Sequence, residues 1–150
     1  MYFDGSFSFN GAGGGVLLVS PTGEHLKYVV QMLFGDGQAT NNTAEYEGLL
    51  AGLRATVGLG IKRLIIRGDS QLVINQVTKE YECPQMAAYV AEVRKLERRF
   101  DDLQMEHVPR AMNAIADELY KVAARRGPIP PGTFVVKLTH PSISPAKPKD

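Results

Sequence analysis

The chain has 150 residues, 44% of them hydrophobic, which is enough to bury one compact core and gives no sign of a second one. Its 17 basic and 16 acidic residues leave a net charge of +1, so no overall positive field marks a polyanionic partner. The single cysteine, Cys83, excludes an internal disulfide and a cysteine-based zinc site. No apolar run is long enough for a membrane span or signal peptide, so a soluble intracellular protein in cytoplasm or nucleus, or a piece of a larger one, is expected.

The first third reads as an antiparallel meander. Residues 1–9 alternate, Asn10-Gly11 marks a hairpin turn, and an apolar strand resumes at Gly15 to Ser20. Pro21-Thr22-Gly23 turns the chain into a third strand, His25 to Phe34. After the loop Gly35 to Ala39, Asn42 resembles a helix N-cap with Glu45 as its reciprocal acid. Tyr46, Leu49, Leu50, Leu53 and Val57 then recur at helical spacing up to Gly58-Leu59-Gly60. Gly48 and Gly52, one turn apart, suit close packing of that helix on a sheet.

Further on, the period changes. Arg63 to Arg67 reads as a short buried strand of the parallel kind ending at Gly68-Asp69, and Ser70 can cap a helix from Gln71 to about Lys79. Pro84 opens a longer helix with Met86, Tyr89, Val90, Val93, Leu96 and Phe100 on its apolar face. A strand at Leu103 to Val108 precedes a last helix from about Asn113 to Arg126, stopped by Gly127-Pro128. Beyond it, repeated prolines suggest a tail or linker around one extended segment, Thr133 to Leu138. The pattern predicts an α/β fold: a mixed five-stranded sheet, three strands antiparallel and then parallel ones, flanked by helices.

Four acids take the positions where such a fold gathers ligands. Asp4 lies in the first strand, Asp69 at the end of the fourth, and Glu45 and Asp117 in the first turns of helices. First-turn acids have an ordinary explanation, since they complement the helix dipole by roughly 0.3–1 kcal/mol. An aspartate inside a strand does not, because it is disfavoured there and costly when buried unpaired. Brought together, the four would repel one another unless a hard cation such as magnesium neutralised them. A divalent-metal nuclease is the reading they favour.

The segments Tyr-Phe-Asp-Gly-Ser, Thr-Asn-Asn-x-x-Glu, Gly-Asp-Ser-Gln and His-Val-Pro-Arg-x-x-Asn-x-x-x-Asp-x-Leu occur in order over about residues 1–126. Together they resemble type 1 ribonuclease H. The His107 to Arg110 segment and the Ala-Glu-Tyr-Glu-Gly-Leu-Leu helix are similar to archaeal-like ribonuclease H domains of plant Ty3/gypsy-type retrotransposon polyproteins. The resemblance implies a ribonuclease H domain at 1–127 with a Pro-rich tail or linker at 128–150. It also implies cleavage of the RNA strand of an RNA/DNA hybrid with two magnesium ions, manganese substituting, beside a reverse transcriptase domain. Asp4 would bridge the ions, Asp69 and Glu45 would complete the first site, and Asp117 would lie beside the second. Asn41, Asn42 and Gln71 would face the minor groove of the hybrid. Gly5, Ser6 and Ser70 would line the substrate, although Ser70 is equally a plain helix cap.

Two departures stand out. Family members often carry a histidine on a loop before the last acid, whereas here Pro109 to Met112 is short and has none, leaving His107 at a strand end as a possible accessory or structural residue. The bacterial basic protrusion with tryptophans is replaced by the short Glu80 to Cys83 connection, and the chain has no Trp. Among alternatives, a proofreading-type exonuclease needs a second acid where Ser6 stands, and a transposase core would lack Glu45 and end in Glu. A noncatalytic hybrid-binding or tether domain of the same fold is opposed by the presence of all four acids.

Overall fold

The structure is a computed structural model and describes residues 1–8, 11–34, 40–78, 86–126 and 128–143. Asn10, the Gly35 to Ala39 loop, Lys79, the Glu80 to Cys83 connection, Pro84 and Gly127 lie outside the described residues. The sheet has six strands, β1 (Tyr2–Ser8), β2 (Gly11–Val19), β3 (His25–Met32), β4 (Arg63–Gly68), β5 (Asp102–His107) and β6 (Thr133–Leu138), in the order β5-β4-β1-β2-β3-β6. Antiparallel pairing joins β1 to β2 and β2 to β3, while β4, β5 and β6 run parallel to their neighbours β1, β4 and β3.

The expectation of five strands is thus corrected to six. Thr133 to Leu138, expected only as an extended stretch, pairs along its length with β3 from Lys27 to Met32. Its alternation explains why: Val136 and Leu138 pack against the main core, and Phe134 stacks on Tyr28 with ring centroids 5.1 Å apart. The residues after it also dock. Ser142 donates its backbone N–H to Glu47 at 2.7 Å and accepts from Arg54 Nη1 through its hydroxyl at 2.9 Å.

Helices α1 (Asn41–Gly58), α2 (Gln71–Thr78) and α3 (Ala87–Glu97) follow in chain order, and α4 (Ala114–Arg125) comes after a 3-10 turn at Arg110–Asn113. The main core joins one sheet face to α1, α2 and α3 through Phe3, Val16, Val30, Leu50, Val73 and Tyr89. A smaller cluster, Val29, Leu119 and Ala123, seats α4 on the other face. Helix α1 is enclosed on nearly every side from Thr43 to Leu53, which is how Glu45 and Glu47 come to be buried. Its N-cap is Thr40, not Asn42: Thr40 Oγ1 accepts from the Thr43 backbone and the Thr43 hydroxyl returns to the Thr40 N–H. Glu45 therefore sits beyond the first turn, and the macrodipole does not account for it.

Strand β2 begins earlier than its propensities suggest. Gly13-Gly14-Gly15 is a poor strand sequence, but a Cβ on Gly13 would lie 2.8 Å from Ala124 N, and one on Gly15 would lie 2.3 Å from Ala116 O. The absence of side chains lets α4 lie directly on the strand. On the opposite face, a Cβ on Gly48 would stand 2.7 Å from Asp4 O, which brings α1 equally close to β1.

Candidate active site

Close approach on both faces sets the position of Asp4. Phe3 pairs with Gly68 in the parallel β1/β4 ladder, so Asp69, the next residue along, emerges beside Asp4. Gly5 abuts the start of α1, where a Cβ would lie 2.1 Å from Ala44 O. The Gly5 N–H donates to Asp4 Oδ1 at 2.9 Å and also to Glu45 Oε1. Asp4, Glu45 and Asp69 each offer a carboxylate oxygen, and these oxygens lie within 4.8 Å of one another.

Asp117 occupies the first turn of α4, as its spacing suggests, but it is not a member of that group of three. Its Oδ2 is 2.9 Å from Lys121 Nζ, one helical turn on. Asn113 anchors this helix to the site, donating from Nδ2 to the Phe3 carbonyl at 2.8 Å. Neither Asn113 nor Arg110 was assigned a role from sequence. Arg110 Nε stands 3.9 Å from Asp69 Oδ2, on the short turn where a family histidine is absent. The signal that could have found both is their fixed spacing within Pro-Arg-x-x-Asn-x-x-x-Asp.

The remaining candidates divide into two groups. Asn41 Oδ1 accepts from the Phe7 N–H at 2.8 Å and from Ser6 Oγ at 3.1 Å, so Asn41 and Ser6 form one small cluster over β1. Asn42 lies next to it at the start of α1, partly buried. Ser70 caps α2 by accepting from the Val73 N–H at 3.3 Å, and exposed Gln71 donates to Asn75 Oδ1 at 3.0 Å. His107 is exposed and paired with Gly68 across the β4/β5 ladder.

The electrostatics of the acids are those of a site made for a cation. Burial, together with the charges of Asp69 and Asp117, pushes Asp4 up to about 6, against the lowering effect of its hydrogen bonds with Glu45 and Gly5. Glu45 is raised far above the usual carboxylate range, first by burial, then by the Asp4 hydrogen bond and the charges of Asp4 and Asp69. Asp69 Oδ2 is buried without any hydrogen-bond partner. Three converging hard oxygen donors, one of them orphaned, match the ligand preference of magnesium or manganese.

A family model described as "Reverse transcriptase-like" matches residues 2–123. The chain is 40% identical over 124 residues to a ribonuclease HI of Halobacterium salinarum, covering 79% of this chain and 60% of that protein. It thus spans less than two thirds of that relative's length. The crystal structure of RNase H1 from the same archaeon superposes with a TM-score of 0.72 at 38% identity, covering 84% of this chain and 96% of that one. The chain belongs to the type 1 ribonuclease H family. A further ribonuclease H structure, LC11-RNase H1 in complex with an RNA/DNA hybrid, matches at TM-score 0.69 and 29% identity over 83% of this chain and 95% of the other.

For this ribonuclease H chain, the raised carboxylates make a pH prediction. Between the ordinary carboxylate pKa of about 4 and the raised values, the folded state retains protons that the unfolded chain has released. Metal-free stability should therefore fall as pH rises from about 4 through 6 and beyond, by on the order of 1–3 kcal/mol. Magnesium should reverse the loss at pH 7, since it takes the place of the proton. Thermal melts from pH 4.5 to 7.5 with and without magnesium test this, and metal-free stability that climbs with pH in wild type but not in Glu45→Gln would contradict it.

Proposed function

We propose that the protein is a metal-dependent endonuclease that hydrolyses the RNA strand of RNA/DNA hybrids, leaving 5′-phosphate and 3′-hydroxyl ends. The observation that carries this reading is the convergence of Asp4, Glu45 and Asp69, with Asp69 Oδ2 buried and accepting no hydrogen bond. In this reading Asp4, Glu45 and Asp69 would hold the divalent metal, with Asp117 as a further ligand at the edge of the site. The ions, when bound, supply an activated water and a charge partner for the leaving 3′ oxygen. Glu45, whose carboxyl is raised far above the usual range by burial and by Asp4, would give up its proton where a metal binds. Arg110, beside Asp69 and 85% exposed at its side chain, is free to reach a phosphate while it steadies that carboxylate.

Recognition rests on the cluster over β1 and on α2. Asn41, Asn42 and Gln71 meet the minor groove of the hybrid, Gly5 and Ser6 let its ribose approach, and Ser70 sets the angle of α2. His107 is a structural residue at the end of β5 in this reading. Residues 1–127 carry all of these groups, with 128–150 as the stretch leading to the rest of a polyprotein. In this reading the chain belongs to a retrotransposon polyprotein of the plant Ty3/gypsy type and acts inside the cell, and the match to a family described as reverse transcriptase-like supports a reverse transcriptase domain as its neighbour. No helix among the described residues is long and apolar enough to cross a membrane.

Substrate choice tests the proposal. With magnesium or manganese, a labelled RNA/DNA hybrid should be cut at internal RNA positions, while DNA duplex, single-stranded RNA and RNA duplex are left intact. Gln71→Ala should weaken this discrimination. Equal cutting of DNA duplex would end the ribonuclease H reading, and hybrid binding without cleavage in either metal would favour a noncatalytic tether domain.

A further inference from the structure

Among the four candidate acids, Asp117 has the nearest cation, Lys121 at 2.9 Å, whereas Arg110 stands 3.9 Å from Asp69. Lys121 Nζ lies 2.9 Å from Asp117 Oδ2 and 3.9 Å from Glu118 Oε1, at the outer edge of the site. Meanwhile the carboxylate oxygens of Asp4, Glu45 and Asp69 stand within 4.8 Å of one another and Asp117 stands outside that set. We propose that Lys121 is a positioning residue that holds Asp117 apart from the other three acids until a divalent cation replaces the ammonium, so that it sets the cation concentration at which the fourth acid joins the site. This inference rests on the reading of the acids as metal ligands.

The physical argument is a competition between two cations for one carboxylate. An i,i+4 Asp–Lys pair on a helix, here half-exposed at Lys121 and partly buried at Asp117, contributes only a few tenths of a kcal/mol to helix stability. Its geometry therefore has little structural purpose, and Lys121 can be removed at small cost to the fold. A group that neutralises Asp117 in the absence of metal eases the repulsion among four converging acids. When a divalent ion binds, the same group must let go, and its long flexible stem leaves the ammonium free to swing toward a phosphate.

Manganese binding reads this without any substrate. The free Mn2+ signal in electron paramagnetic resonance would be followed during titration of wild type, Lys121→Met, Lys121→Gln, Lys121→Arg, Asp117→Asn and the Lys121→Met/Asp117→Asn double variant. Both neutral variants should bind Mn2+ roughly two- to fivefold more tightly, the scale of one exposed ion pair. Lys121→Arg should resemble wild type. In the Asp117→Asn background the gain should vanish, which separates displacement at this carboxylate from a general change in net charge. Unchanged binding in Lys121→Met and Lys121→Gln, or the same gain with Asp117 already neutral, would overturn the inference. The magnesium concentration for half-maximal hybrid cleavage should fall in parallel. A protein with this coupling that cuts no hybrid would lose the nuclease reading alone, whereas one that cuts hybrids without the coupling would lose only the role of Lys121.

Discussion

Asp4→Asn and Asp69→Asn should each reduce magnesium-dependent cleavage of an RNA/DNA hybrid by roughly a thousandfold or more, because each removes an oxygen donor from the heart of the proposed metal site. The fold should survive both changes. Asp4 is held in a buried position at a cost reflected in its raised pKa, so a neutral amide of the same shape should leave stability unchanged or raise it by roughly 1–3 kcal/mol in metal-free buffer. Opposite signs for activity and stability distinguish a ligand from a structural residue. Purified Asp4→Asn with wild-type rates, or with a lower melting temperature and proportionally lower rate, would remove it from the site. Calcium should bind wild type without supporting turnover, since its looser coordination does not hold the attacking water in line.

The second large effect is on the C-terminal strand. A chain ending at residue 127 should lose roughly 3–5 kcal/mol of stability, with a fall in melting temperature of about 10 °C or more. Two contributions combine. Val136 and Leu138 leave the core, and the β3 edge loses a full parallel partner. Glu47, with no exposed surface, then keeps only the Tyr89 hydroxyl at 2.7 Å, since the Ser142 N–H is gone. Its Oε1 has no hydrogen-bond partner even in the intact chain, so the pocket has little tolerance for a further loss. Glu47→Gln in the full chain should destabilise less than the truncation. A truncated chain that melts within 2 °C of wild type, roughly the effect of half a kcal/mol, would show that β6 is an ornament on the edge.

Much of this arrangement is legible in local sequence. Alternation along β1 places Asp4, the apolar run ending in Gly68-Asp69 reads as a parallel strand, and helical spacing places Asp117 in a first turn. Glu45 was harder. The stretch from Thr40 to Thr43 contains four residues able to cap a helix, and only the reciprocal Thr40–Thr43 bonds select the first of them. What buries Glu45 is the contact between α1 and β1, a long-range fact with no local signal. The same holds for β6: its apolar alternation is visible, but which sheet edge receives it depends on a crossover past α4. Arg110 and Asn113 were visible as residues and silent as functions, because each acts on a partner distant in sequence, Asp69 and Phe3.

The glycines around Asp4 carry a lesson for mutagenesis. Gly5, Gly13, Gly15 and Gly48 shape the site through atoms they lack, so a scan that shortens side chains to alanine would treat them as the mildest positions in the protein. For them alanine is an enlargement. A single methyl at Gly15 or Gly48 would be driven into backbone on the facing helix or strand and would shift α4 or α1 as a rigid body, moving Asp117 or Glu45 without touching either. Sequence variation in this protein should therefore be least forgiving at its smallest residues, and inactive natural variants should be sought there as readily as among the acids.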